Sequence, residues 1–208
     1  MKKKIAAVVV ITFMTVPFMG GCFGGEDNPT DSDALQTATT TTAGAEEPGH
    51  VTEEDGIRKT VVYVDNDFNE SDESGTFEYT IKSIRLERIS ASTDIAAATY
   101  GIEKGEEAAL LTLNLSAKNT GYESVNCYIS QGSLSASQGE TVEPKSLIGK
   151  YIDGHFFAGQ EKEGCNIYVF KDIKAEDLNE LTMKISAPKD NDFKPVGDEV
   201  EFDFSLKK

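Results

Sequence analysis

From Ile57 to the end of the chain, apolar residues recur at every second position in short runs broken by polar turn residues. That spacing is the mark of half-buried β-strands, whose side chains alternate between two faces. Thr60-Val61-Val62-Tyr63-Val64 is rich in β-branched residues and stops at Asp65-Asn66-Asp67. Phe77, Tyr79 and Ile81 alternate with Glu78, Thr80 and Lys82, whereas Ile84 and Leu86 fall out of phase with them. A one-residue slip predicts a bulge, or a strand that crosses between sheets. The longest alternation runs from Ala109 to Lys118, with Leu111, Leu113, Leu115 and Ala117 on one face. Asn119-Thr120-Gly121 punctuates its end as a turn. Shorter sets follow at Val125/Cys127/Ile129, Cys165/Ile167/Val169, Leu181/Met183/Ile185 and Val200/Phe202/Phe204/Leu206. Only Asp94–Tyr100 and Ala175–Leu178 read as helical, and both are brief. About seven or eight strands, each apolar on one face, need a second sheet to bury against, which predicts an all-β antiparallel sandwich over residues 57–208.

The amino-terminal part has a different pattern. Lys2, Lys3 and Lys4 precede an uncharged, mostly apolar run from Ile5 to Met19. The run is about 15 residues, short of the roughly 20 that a spanning helix needs, and Pro17 interrupts its end. It closes on Gly20-Gly21, so residues 1–21 read as a secretory signal with a small-residue cleavage site. Cys22 directly after those glycines resembles the lipobox of bacterial lipoproteins, with Met19 where Leu is commonest and Gly20 where Ala or Ser is. The resemblance implies a lipid on the Cys22 thiol, cleavage just before it, and a membrane-anchored, extracytoplasmic product. Residues 22–56 are rich in Gly, Thr and acidic residues, with Phe23 and Leu35 among few apolar ones. Such a segment buries too little to offset its ordering entropy, so it reads as a disordered tether.

Composition narrows the partners. The formal charge is −16 with a pI near 4.5, and loss of the three leader lysines takes it to about −19. An acidic body without a basic stripe repels phosphate backbones, which argues against nucleic acid. Once Cys22 is set aside, Cys127 and Cys165 remain as an even pair in an exported protein. Both lie on the apolar alternation of their strands. A disulfide between them is expected, with two buried free thiols as the alternative.

A strand ending in Lys118-Asn119-Thr120-Gly121, a loop at Ala158-Gly159-Gln160, and Gly164 leading into Val169-Phe170 together resemble a known family. It is that of the uncharacterised Ig-like domains of bacterial lipoproteins, relatives of small secreted immunoprotective antigens. Ala158 and Gln160 replace the Pro and Glu of that family's second turn. The resemblance spans roughly Thr76 to Leu206, implies an Ig-like sandwich, and implies no activity.

Catalytic chemistry is thinly supplied. His50 falls in the tether and His155 in the loop Asp153-Gly154-His155-Phe156-Phe157, with no nucleophile motif beside it. Asp65, Asp67, Asn69, Ser71 and Glu73 mimic the opening of an EF-hand loop. However, Glu70 stands where Gly is required and Thr76 where the bidentate Glu belongs. That stretch reads instead as a solvated hairpin loop, with weak, unspecialised Ca²⁺ binding as the alternative, and Asp190-Asn191-Asp192 is another candidate of the same weak kind. No His/Cys cluster has zinc or copper spacing; no metal, cofactor or catalytic residue is expected. Tyr151, His155, Phe156 and Phe157 crowd one glycine-containing segment and are the candidate ligand contacts. On an extended chain Phe156 and Phe157 point opposite ways, so one of them is a candidate anchor for a partner; the alternative has both closing the end of the sandwich. The function expected is a non-catalytic module binding a protein or another ligand at the cell envelope. A structural or accessory role in a larger envelope assembly is second, and an enzyme third.

Overall fold

Alternation of apolar and polar residues becomes two stacked sheets. The computed structural model describes residues 47–206; the signal segment, the Cys22 lipid site and the tether as far as Glu46 lie outside the described residues. In chain order the elements are β1 (Val51–Glu54), β2 (Ile57–Asp65), β3 (Glu70–Ser74), β4 (Phe77–Ala91), α1 (Asp94–Tyr100) and β5 (Glu107–Asn119). Then come β6 (Val125–Cys127), β7 (Ser133–Ala136), β8 (Thr141–Val142), β9 (Gly154–Phe156), β10 (Glu161–Phe170), β11 (Glu180–Ile185) and β12 (Val200–Ser205). The larger sheet has the order β1-β2-β4-β5-β10, with β3 paired to the first half of β4; the facing sheet is β12-β11-β7-β8, and β6 pairs with β9. All of these pairings are antiparallel.

The long hairpin β4–β5 forms the middle of the larger sheet. Ile81 lies opposite Leu115 and Ile84 opposite Leu113, so Lys82 is the extra residue of a bulge. The bulge resets the alternation and keeps Phe77, Tyr79, Ile81, Ile84 and Leu86 all inside. They meet Leu111, Leu113 and Leu115 from β5, Leu181 and Met183 from β11, and Phe202 and Phe204 from β12 in one core. Each such side chain contributes roughly 1.5–3 kcal/mol by leaving water.

A second, smaller core lies on the other side of the larger sheet. Ile57, Ile89, Ala91, Ala108, Leu110 and Val169 face outward there and are covered by Ala96 and Ala97 of α1. Thr93 caps that helix by accepting from the Ala96 N–H at 3.2 Å, and Gly101 ends it at φ 67°.

This second core corrects the disulfide expectation. Cys165 lies opposite Asn114 in the ladder, and Asn166, Tyr168 and Phe170 lie opposite Leu113, Leu111 and Ala109. Directly opposed residues share a face, so the core face of β10 is Asn166/Tyr168/Phe170. Cys165, Ile167 and Val169 point the other way, toward the helix side. Cys127 is buried in the main core, and both cysteines are free thiols. A sheet separates their side chains.

Other boundaries shift as well. The folded domain begins before Ile57, because β1 pairs with β2 through the two-residue turn Asp55-Gly56 at φ 51° and 77°, the geometry of a tight hairpin. The acidic stretch expected as a loop contains a strand, β3, which is exposed except at Ser74. Ala175–Leu178 is a turn closed by the Leu178 N–H donating to the Lys174 carbonyl at 3.1 Å.

Cys127 donates to the Tyr79 hydroxyl at 3.8 Å. Burial pushes the thiol up from the usual value near 9 to about 11. Burial also raises the Tyr79 phenol, and the neighbouring Cys127 adds to the effect. Between those two thiol values the folded chain keeps a proton that the unfolded chain has lost, so stability falls as pH rises. The contribution is complete below pH 9 and is lost through pH 11, about 2–3 kcal/mol in all. Urea midpoints are expected to decline across that window, and less steeply for Cys127→Ala. A flat profile to pH 11 would contradict the burial described.

Candidate functional site

The candidate contacts Tyr151, His155, Phe156 and Phe157 separate into three situations. Phe156 lies opposite Val125 in the β6–β9 pair and is fully buried, edge-on to Phe77 at 5.1 Å between centroids. Phe157, the next residue, faces solvent at 63% exposure and packs edge-on against His155 at 5.0 Å. The alternation of an extended chain therefore divides the two phenylalanines, one to the core and one to water. Tyr151 is set apart: its neighbour Lys150 exchanges both backbone hydrogen bonds with Cys165, and the Ile152 N–H donates to Ser130 Oγ. Gly164 permits that close approach, since a Cβ there would lie 2.2 Å from the Lys150 carbonyl oxygen.

Phe157 stands on a tight turn. Its N–H donates to Gln160 Oε1 at 2.9 Å, and the Gln160 N–H donates back to its carbonyl at 3.0 Å. Gly159 supplies the left-handed residue at φ 71°. Lys162 donates its ammonium to the His155 carbonyl at 2.8 Å and lies 4.2 Å from the centroid of the Phe156 ring.

Asn119 organises the neighbouring loop. The residue is 0% exposed, and its Oδ1 accepts from the Gly121 N–H at 3.0 Å and the Thr76 hydroxyl at 3.3 Å. Its Nδ2 donates toward the carbonyls of Glu123, Phe156 and Phe157 at 2.7, 3.3 and 3.2 Å. The turn after β5 is thus joined to the turn that carries Phe157. Tyr122, at the crest of the first turn, is 99% exposed.

A third loop joins at the same end. Asn126 pairs with His155 on one side. On its other side it exchanges backbone hydrogen bonds with Lys189 at 2.7 and 2.9 Å. The loop that follows is folded around Asp190, whose Oδ1 accepts from the N–H groups of Asp192 and Lys194. Phe193 is held there at φ 61° and is 64% exposed. A bulky aromatic in the left-handed region is strained by about 1–3 kcal/mol, a cost that clusters at functional sites.

One end of the sandwich therefore presents Tyr122, Phe157 and Phe193 from three hydrogen-bonded loops, with His155 beside Phe157. Tyr122 and Phe193 escape the sequence pattern. Their only signal is an aromatic residue within a polar turn, at Gly121-Tyr122-Glu123 and Asp192-Phe193-Lys194.

The acidic segments are spent on local structure. Asp65 Oδ1 accepts from the Asp67 N–H at 3.0 Å, and the Ser71 hydroxyl bonds that of Thr80 at 2.8 Å. Asp190 closes its own turn. No group of three or more His, Cys, Asp or Glu residues among the described residues is placed to hold a metal ion.

Comparison with known proteins gives one sequence relative and a shared fold. The chain is similar to the SPbeta prophage-derived uncharacterized lipoprotein YonS of Bacillus subtilis (strain 168), at 26% identity over 186 residues, 87% of this chain and 82% of that protein. It shares its fold with a functionally unknown protein from Listeria monocytogenes EGD-e, at a TM-score of 0.54 and 18% identity, over 72% of this chain and 88% of that one. A putative lipoprotein (ycdA) from Bacillus subtilis aligns more loosely, at a TM-score of 0.47 and 15% identity over 68% of this chain and 40% of that chain. No family model matches the chain.

Proposed function

We propose that the chain is a lipid-anchored, extracytoplasmic β-sandwich that binds an envelope protein or ligand, without catalysis, through its three-loop end. The anchor is supported by Cys22 behind its apolar leader and by similarity to a lipoprotein over most of the length. The Ig-like kinship implied by the Asn119 turn is part of the same proposal. The observation that carries the binding role is the display of Tyr122, Phe157 and Phe193 on loops whose backbones are fixed by buried or turn-closing hydrogen bonds. Rigid exposed aromatic residues offer large contact area at low entropic cost, which suits them as anchors. Loops at one end of a sandwich are a common place for such contacts. Assembly through a hydrophobic edge at β1 has less support, because that strand carries Glu53 and Glu54 and suits a charged partner instead.

Photo-crosslinking residues placed at 122, 157 and 193 in intact cells examine this directly, with position 184 on the outer face of the opposite sheet as the reference. Discrete adducts at the three loop positions and none at 184 are expected. Equal adducts at all four positions, or none at the loops, would exclude the assignment.

A further inference from the structure

At the far end of β4 from the three loops, a groove of about 670 Å³ runs between the β1–β2 hairpin and α1. Its floor includes Ile57 and Ala96, both buried, and its lip carries Ile95, which is 83% exposed. Tyr100 lies along it, with the Lys59 ammonium 5.6 Å from the ring centroid. Glu54 and Asp55 line the same groove and form no ion pair among the described residues, whereas Asp94 is paired with Lys104 at 3.6 Å. β1 is also the outermost strand of its sheet. Glu54 and Ile57 flank a two-residue turn, so the hydrogen-bonded pairs are Glu54/Ile57 and Thr52/Lys59. The N–H and C=O groups of Val51 and Glu53 then point away from β2.

We infer that this edge and groove dock an extended basic peptide segment of a partner protein. The segment adds as a strand beside β1, an apolar side chain enters over Ile57 and Ala96 next to Ile95, and a lysine or arginine meets Glu54 and Asp55. Strand addition supplies main-chain hydrogen bonds, and alternate side chains on the Thr52/Glu54 face supply the selectivity. Charge decides the occupant. A second copy of this chain would set Glu53 and Glu54 against the same residues, and a chain of net charge −16 repels acidic segments generally. A basic segment gains from both features.

The experiment uses the full-length protein in neutral detergent and a fluorescein-labelled nonapeptide of alternating lysine and valine, with the glutamate–valine peptide as its match. Anisotropy is expected to show the lysine peptide binding at least tenfold more tightly. Glu54→Lys and Glu53→Pro should each weaken it at least fivefold, the second by removing an outward N–H from the edge. Glu180→Lys, an equal change of charge on the opposite sheet, should leave binding within twofold, as should Phe157→Ala at the three-loop end. Equal affinity for both peptides, no binding of either, or the same loss from Glu180→Lys as from Glu54→Lys would overturn the inference. So would retention of affinity by Glu54→Lys, whose exposed position leaves the fold intact, or a loss caused by Phe157→Ala.

Discussion

Asn119→Leu should lower the unfolding free energy by about 3–5 kcal/mol, more than the loss of an ordinary turn residue. The substitution keeps the number and branching of the side-chain heavy atoms and removes every polar contact of the side chain. The Gly121 N–H and the carbonyls of Glu123, Phe156 and Phe157 lose a partner together. Groups left unsatisfied away from water cost about 1–3 kcal/mol each, and water can reach some but not all of these. The effect should also be local. Amide exchange is expected to rise in residues 119–124 and 156–160 while the β4–β5 ladder stays protected. Urea unfolding that changes by less than 1 kcal/mol would mean that the turn holds itself, and that Asn119 does not join the loops.

The second large effect is a contrast between adjacent residues. Phe156→Ala empties a fully buried ring site against Phe77 and under the Lys162 ammonium. Truncations of this kind cost about 3–5 kcal/mol through lost transfer energy and the residual cavity. Phe157→Ala removes a ring that is mostly in water already, and should change stability by no more than about 0.5 kcal/mol. Its consequence belongs to binding: the crosslinks at positions 122 and 193 should weaken when the Phe157 anchor is gone. Denaturation of the two variants side by side measures the difference. A reversed order would place the wrong phenylalanine in the core.

Much of the fold is written in the period-two pattern, because a strand with one buried face must alternate. Leu111, Leu113 and Leu115 show this, and so does the slip between Ile81 and Ile84 that becomes the Lys82 bulge. The helix Asp94–Tyr100 is also visible, and its bounds agree with the sequence reading. The pattern fails where a strand has no apolar face or has two. β1 and β3 are almost wholly exposed and give no hydrophobic signal, although Asp55-Gly56 is a hairpin signal in its own right. β10 is apolar on one face as Ile167/Val169 and on the other as Tyr168/Phe170. Alternation alone cannot say which face meets the main core, so Cys165 reads as a partner for Cys127 when it belongs to the opposite side. At the candidate site the sequence marks the segment that carries His155 and Phe157. It does not mark Tyr122 or Phe193, since proximity of three loops depends on Asn119 and Asn126, whose bonds reach across dozens of residues.

We propose, at the centre, a folded β-sandwich held outside the cytoplasm by lipid on the Cys22 thiol. Intact-mass spectrometry of the protein recovered from membranes reads that claim in a single measurement. A chain beginning at Cys22 and heavier by a diacylglyceryl group is the expected species, with Cys22→Ala absent from the membrane fraction. A soluble product that still carries residues 1–21, or a Cys22→Ala form as firmly membrane-bound as the parent, would contradict it.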